Sequence, residues 1–406
     1  MAPVSRRAFL RDVAGAGLVL GGIVAGRTGW SLVDQHETWE EASLPNDAFF
    51  NRHAADLDRL TLGGTFAPEQ WTDDAASQAE ALAALGVAVR QLGINRTRLG
   101  LRWSRSVDAN GAIDLAYYRP TLDYCVANGV DLCLNVGPVR VFRWPEDHIP
   151  QRVMDTVRLP EHGARISPDE PLAVAAFDHL DRLLDTLRSE YGAQLTARLE
   201  SVQLENEPFY HIGQNRWRFN QAYMQSLIQR VDTAFPATRL LTTSAGRLNL
   251  NAIRDLYETL LRDERFAGRL VSGFDFHYQT PTRDSYPIVR YFDQISYALP
   301  FSASAAEHLR DARRLGFSVE VTEGQAEPYG KFTEPGNSVK HFRFLILRCL
   351  DKVLDRQAPA LIRVWGVEAL AKKMLRGELT DEHRDIIAIL QRVNGATPGS
   401  IDAANR

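Results

Sequence analysis

The chain predicts an α/β fold in which eight strands and eight helices alternate and close into a (β/α)8 TIM barrel. Three observations carry this expectation. Short apolar runs of strand length recur between stretches of helical periodicity from about residue 60 to 395. Consecutive β and α segments in this order imply a parallel sheet with right-handed crossovers. Two glutamates, Glu207 and Glu323, each end an apolar strand-like run, and a barrel is a scaffold that gathers strand ends on one face.

The elements follow in order. Thr61-Leu62-Gly63-Gly64-Thr65-Phe66 reads as the first strand, and residues 75–92, dense in Ala and Leu at helical spacing, as its helix. Residues 96–101 form the second strand, and 117–128 a helix that stops at Gly129, a glycine suited to the left-handed position after a helix. The third strand, 131–136, contains the apolar run Leu132-Cys133-Leu134, and 171–191 is a long helix. Strand four covers 200–207, with a helix over 220–235; strand five covers 238–243, with a helix over 253–262. Strand six covers 271–278, with a helix over 303–315; strand seven covers 317–323, with a helix over 339–354. Strand eight, 360–365, and a helix over 382–393 close the series. An open doubly wound sheet is the runner-up. It would want a glycine-rich phosphate loop after the first strand, and Gly63-Gly64-Thr65 lacks that spacing. No repeat of 20–50 residues is evident, which argues against a solenoid.

Composition narrows the function. The 406 residues are 45% hydrophobic and carry a net charge of −4, with no basic run in the body of the chain, so a nucleic-acid partner is disfavoured. Cys125, Cys133 and Cys349 are odd in number and far apart, which points to buried thiols and not to a disulfide framework or a zinc site. There is no H-E-x-x-H, no phosphate-binding Gly-rich Lys-Ser/Thr loop and no Gly-x-Ser-x-Gly, so no metal or cofactor is expected.

The N-terminus reads as a targeting segment. Ser5-Arg6-Arg7-Ala8-Phe9-Leu10 precedes a Gly- and Ala-rich apolar run from Val13 to Ala25 and resembles a twin-arginine export signal. This run is shorter than the roughly 20 residues that span a bilayer. The organisation expected is residues 1–26 as signal or anchor, 27–58 as a polar spacer, 59–396 as the catalytic barrel and 397–406 as a tail. The protein is then exported, to the periplasm or outside the cell, and held at the membrane if the segment is uncleaved.

The chemistry centres on Asn206-Glu207-Pro208 and Thr322-Glu323, 116 residues apart (323 − 207). Retaining glycoside hydrolysis needs one carboxylic acid to protonate the leaving oxygen and one carboxylate to attack the anomeric carbon, about 5–5.5 Å apart. On these residues, and on their place at strands four and seven, the chain resembles the clan A glycoside hydrolases, retaining (β/α)8 enzymes that include cellulases, mannanases and β-galactosidases. The resemblance covers about residues 60–395, in motifs only. It implies that Glu207 is the acid/base, Glu323 the nucleophile, and Asn206 a partner of the sugar 2-hydroxyl. Arg98, with Arg102 as the competing assignment, would sit by the nucleophile, as would His277 and Tyr278 at the end of strand six. Trp365 would stack on sugar. Gly100 stands where the family often has proline.

Further aromatic and charged residues follow strand ends and suit a carbohydrate cleft: Phe66, Glu69 and Trp71; Trp103; Arg140, Arg143, Trp144 and Glu146; Phe209, Tyr210 and Trp217. Glu205 shares strand parity with Glu207 and would support the site from one layer deeper, paired with an arginine or a backbone donor. Glu320 has opposite parity to Glu323. Glu327, in the following loop, is the rival nucleophile. The alternative from another class is a catalytically silent exported barrel that binds glycans through its tryptophans. A third is a different barrel hydrolase or lyase that uses Glu207 only as a base.

Overall fold

A computed structural model describes residues 38, 40–244, 249–276, 307–325, 338–350 and 360–396. Its centre is a closed barrel of eight parallel strands: β1 (Leu60–Phe66), β2 (Arg96–Gly100), β3 (Asp131–Asn135), β4 (Leu199–Gln203), β5 (Arg239–Ser244), β6 (Leu270–Phe276), β7 (Ser318–Gln325) and β8 (Ala360–Trp365). Each strand pairs with its neighbours in sequence, and β1 closes on β8 with Leu60 opposite Ala360. The fold is a (β/α)8 barrel.

Strand alternation divides the side chains. Leu62, Leu99, Leu132, Leu134, Val202, Leu240, Phe274 and Ile362 join the large apolar cluster shared with the helices. The alternate residues face inward, and many are polar: Arg98 and Arg363 are fully buried, as are Ser201, Gln203 and Thr243. Two register shifts adjust this pattern. Between β6 and β7, Phe274 faces Val321 but Asp275 faces Glu323; between β8 and β7, Ile362 faces Val321 but Val364 faces Gly324. One extra residue in β7 therefore turns Glu323 inward although Glu320, three residues earlier, also points inward to Arg363. The opposite parity expected of these two glutamates is overturned by this bulge.

The helices α1 (Asn46–Leu57), α2 (Ala75–Gln91), α3 (Arg119–Ala127), α4 (Gln151–Thr156), α5 (Pro171–Thr196), α6 (Gln221–Ala234) and α7 (Leu250–Leu260) precede β6; 307–315, Ser338–Arg348, Val367–Arg376 and Asp381–Asn394 are helical after it. Asp74 accepts from the Ser77 amide at the start of α2, and Asn220 accepts from the Tyr223 amide at the start of α6. Two differences from the sequence reading stand out. Part of the polar stretch read as a spacer is α1, docked by Phe49 and Leu57; Arg343 donates to the Ala42 and Leu44 carbonyls and lies over the Phe49 ring. Only two residues of α1 are buried, so its helical period is faint in the sequence. The helix Val367–Arg376, entered directly from β8, was not anticipated at all.

Extended loops follow β3 and β4. A two-residue ladder, Arg165–Ile166 against Arg218–Phe219, ties them together. Among the described residues no helix is long and apolar enough to cross a membrane. The three cysteines are buried and in no disulfide among the described residues.

Candidate active site

Arg98 organises the C-terminal mouth of the barrel. Its β2 position points inward, and its guanidinium is wholly buried. Nε donates to Gln203 Oε1 at 2.6 Å, Nη1 to Glu323 Oε1 at 2.6 Å, and Nη2 to Asn206 Oδ1 at 2.8 Å. The planar fork thus joins β2, the end of β4 and β7 through three acceptors, and its flat face lies 4.3 Å from the Phe142 ring centre. Arg102, the competing assignment, pairs instead with Glu69, which also accepts from Tyr118.

Asn206 is held by both ends of its amide. Oδ1 accepts from Arg98, from Gln203 Nε2 at 3.0 Å and from Thr243 Oγ1 at 3.4 Å; Nδ2 is directed at Glu146 Oε2, 3.5 Å away. The next residue, Glu207, is pinned through its backbone N–H, which donates to Thr243 Oγ1 at 2.9 Å. The residue is 3% exposed; Oε2 accepts from no donor among the described residues, and the carboxyl shares a hydrogen bond with Asp275 that favours its protonated form. Burial, reinforced by the charges of Asp275, Glu323 and Glu146, holds the Glu207 carboxyl well above the usual carboxylate range. Asp275 in turn accepts from Thr322 Oγ1 at 2.5 Å. The mouth therefore sets a carboxyl whose surroundings favour its protonated form against one that is paired with a guanidinium.

Glu205 finds the buried supporting place and the backbone donors expected of it, but not through strand parity. β4 ends at Gln203, and Glu205 and Glu207 both take positive φ, 51° and 45°, so strand parity no longer governs them. Glu205 is fully buried and clasps the loop after β3. Oε1 accepts from Tyr223 Oη at 2.6 Å and from the Val139 N–H at 3.3 Å; Oε2 accepts from the Arg140 N–H at 2.5 Å. Burial pushes its carboxyl up to about 7 against these donors. Gly137 permits the approach, since a Cβ there would lie 2.4 Å from Glu205 Cα and 2.6 Å from the Arg140 carbonyl oxygen.

The same loop carries the rest of the site. Arg140 is buried and donates to Asp147 and to the carbonyls of Glu207, Tyr210 and Trp217, locking the loop after β3 to the loop after β4. Arg143 pairs with Glu368 and lies 4.4 Å over the ring of Trp365, whose edge meets Phe142. Glu146 is 8% exposed; burial first, then the Glu323 charge, pushes its carboxyl up to about 8, while Arg140 and the Asn206 amide pull it down.

Arg98, Asn206, Glu207 and Glu323 come together, with Glu205 behind them and Trp365 on the wall. Trp103 is elsewhere: it lies in a short turn after β2, buried and stacked on His179 of α5 at 4.9 Å. The short turn Trp103–Arg105 that follows β2 lays the indole against α5. Trp144 is 72% exposed on the rim, between Arg143 and Glu146. His277, Tyr278 and Glu327 lie outside the described residues. Asp275, Gln203 and Thr243 were missed. Alternation along β6 was the available signal for Asp275, a lone acid at an inward position near a strand end.

No protein-family model matches the chain, and no curated protein does. Solved structures with similar coordinates include endo-glycoceramidase II from Rhodococcus sp., with 14% identity, TM-score 0.47, and 75% of this chain and 72% of that one covered. A glycoside hydrolase family 30 subfamily 8 xylanase from Clostridium acetobutylicum shows 14% identity and TM-score 0.41 over 75% of this chain and 64% of that one. A thermostable mutant of a xylanase from Cellvibrio japonicus shows 12% identity and TM-score 0.46 over 77% and 87%.

Proposed function

We propose that the protein is a retaining glycoside hydrolase acting on a β-linked glycan or glycoside. The observation that carries this reading is the pairing of opposite environments at the barrel mouth: Glu323 of β7 on Arg98, and Glu207, in the loop after β4, buried among carboxyls. In the proposed reaction the Glu323 carboxylate attacks the anomeric carbon while Glu207 gives its proton to the departing oxygen. A covalent glycosyl–enzyme forms. Glu207, now a carboxylate, takes a proton from water, which attacks the same carbon and releases Glu323. The configuration is kept because the carbon is inverted twice. Asn206, with its oxygen committed to Arg98 and Gln203, offers its N–H groups to the sugar beside the reacting carbon. Trp365, with Arg143 over its ring, supplies an apolar wall, and Trp144 stands ready at the rim for a further sugar ring.

The test is hydrolysis of aryl β-glycosides and of β-glucan, mannan and xylan oligosaccharides by wild type, Glu207→Ala and Glu323→Ala. Loss of turnover by orders of magnitude in both variants, with azide restoring Glu323→Ala and inverting the product, is the expected result. No turnover by any form, with glycan binding equal in all three, would leave a binding barrel instead. We also propose export through the N-terminal segment; an Arg6→Lys, Arg7→Lys double variant that is still exported as well as wild type from a bacterial host would refute it.

A further inference from the structure

Glu146 is held where an ordinary loop glutamate has no reason to be. Among the described residues, five that are not glycine have positive φ, and four of them surround the mouth: Arg143 (74°), Glu146 (66°), Glu205 (51°) and Glu207 (45°). A left-handed L-residue carries a conformational cost and persists where its surroundings impose it. At Glu146 they do so tightly: its N–H donates to the Arg143 carbonyl at 2.9 Å, and its carbonyl accepts from the Val141 N–H at 3.0 Å. The turn sends the side chain back into the barrel instead of into water. There it meets Asn206 Nδ2 at 3.5 Å and the charge of Glu323, while Asp147 and Arg140 flank it on its own loop. Arg140 already serves Asp147 and three carbonyls. A buried carboxyl beside other carboxyls is unfavourable in the resting protein and calls for a ligand that uses it.

We propose that Glu146 is a positioning residue for the reacting sugar: it fixes the Asn206 amide and hydrogen-bonds the hydroxyl next to the anomeric carbon, between Asn206 and Glu323. This rests on the hydrolase reading above. It also ties Glu146 to the acid. Glu207 feels three carboxyls, Asp275 from β6, Glu323 from β7 and Glu146 from the loop, and all three favour its protonated form. Replacing Glu146 by a neutral residue removes one of them, so Glu207 loses its proton at lower pH.

The experiment compares Glu146→Gly, Glu146→Gln and Glu207→Ala with wild type on an aryl β-glycoside and its 2-deoxy counterpart. Glycine relieves the left-handed strain, so Glu146→Gly should melt no lower than wild type. Its kcat/KM on the 2-hydroxy substrate should nevertheless fall about 10–100-fold, the scale of a lost hydrogen bond to a charged or strongly polar group. On the 2-deoxy substrate the penalty should shrink to less than about threefold, because the partner hydroxyl is gone. Glu146→Gln should recover most of the activity, with the alkaline limb of kcat/KM displaced to lower pH. Equal penalties on the two substrates, or an unmoved alkaline limb in Glu146→Gln, would overturn the proposal. So would full activity of Glu146→Gly beside an inactive Glu207→Ala, which leaves the hydrolase reading intact. Absence of wild-type turnover would overturn both.

Discussion

Replacing Arg98 by methionine is the most severe test of how this site is built. The substitution keeps most of the buried volume and removes three bonds at once: Gln203 Oε1, Glu323 Oε1 and Asn206 Oδ1 lose donors at 2.6, 2.6 and 2.8 Å. Asn206 Oδ1 retains Gln203 Nε2 at 3.0 Å, so its loss is partial. Glu323, whose side chain is 5% exposed, loses its guanidinium. Breaking a buried ion pair from one side costs about 3–5 kcal/mol, mainly the penalty of the charge left behind. At roughly 2–4 °C per kcal/mol, the melting temperature should fall by about 10 °C. If the stranded charge is the cause, removing it should help. The double variant Arg98→Met, Glu323→Gln should therefore be more stable than the sum of the single changes implies, with a coupling of about 0.5–3 kcal/mol. Thermal and urea unfolding of the four proteins at pH 7 measure this directly. The kcat/KM of Arg98→Met should drop on the order of 10²–10³, the scale of one preorganised polar contact. A single variant that melts within about 2 °C of wild type, or a strictly additive double variant, would refute the account of Arg98 as the centre of the network.

Other outcomes follow from the same geometry. The folded protein keeps a proton on Glu207 above the ordinary carboxylate range, so it binds more protons than the unfolded chain there, and stability falls as pH rises through that window. Glu207→Gln cannot titrate, and its melting temperature should gain on wild type between pH 5 and 8 while activity disappears. The sign is the same for Glu146, whose window closes near its value of about 8. Gly137→Ala would press a methyl against Glu205 Cα at 2.4 Å; scanning calorimetry should show a loss of about 1–3 kcal/mol, with a fall in kcat as the loop shifts. Glu205→Gln replaces an acceptor of three donors by a group that must turn its own amide towards one of them; urea unfolding should register a loss of about 1–3 kcal/mol.

What could be read in the sequence depended on whether a residue obeys a period. The strands did, so the strand count and the places of Arg98 and Glu323 on their strands were legible before any coordinates; Glu207, read as the end of strand four, lies in the loop four residues past Gln203. The burial and backbone donors of Glu205 were legible, but its strand parity with Glu207 does not hold, because two glutamates in left-handed backbone carry no compositional mark; a glycine there would have been a warning. Glu320 and Glu323 were misjudged because one extra residue in β7 reverses parity, and a bulge in a parallel strand leaves the apolar pattern intact. Trp103 and Trp144 show a further limit. An aromatic residue past a strand end is apolar whether it packs under a helix or stands on a rim, and only the path of the loop decides which. Asp275 drew no notice because its neighbours, Thr322 and Glu207, are remote in the chain.

The two ends of the barrel interior are built to opposite electrostatic rules, and the contrast explains how the mouth can be so strained. Towards the N-terminal end, Arg363 is buried and paired with both Glu200 and Glu320; Arg96 donates to Glu200 at 2.7 Å, and Arg239 lies 3.8 Å from each glutamate. Two carboxylates there meet three guanidiniums. At the mouth, Glu146, Asp275 and Glu323 gather around Glu207, and Arg98 pairs with Glu323, while Arg140 and Arg143 are engaged with Asp147, backbone carbonyls and Glu368. The left-handed residues of the site all lie in the loops after β3 and β4 and none in a strand. A chain in which local preference and global packing agree folds to one structure, and departures from that agreement concentrate where function demands them. Here the base supplies a network of paired opposite charges and the outer layer an apolar core, so crowded acidity and bent backbone at the mouth can persist. Relieving that strain should therefore stabilise the fold and weaken the site, whereas breaking the base network, as in Arg363→Met, should weaken the fold with no specific effect on the pH profile of the reaction.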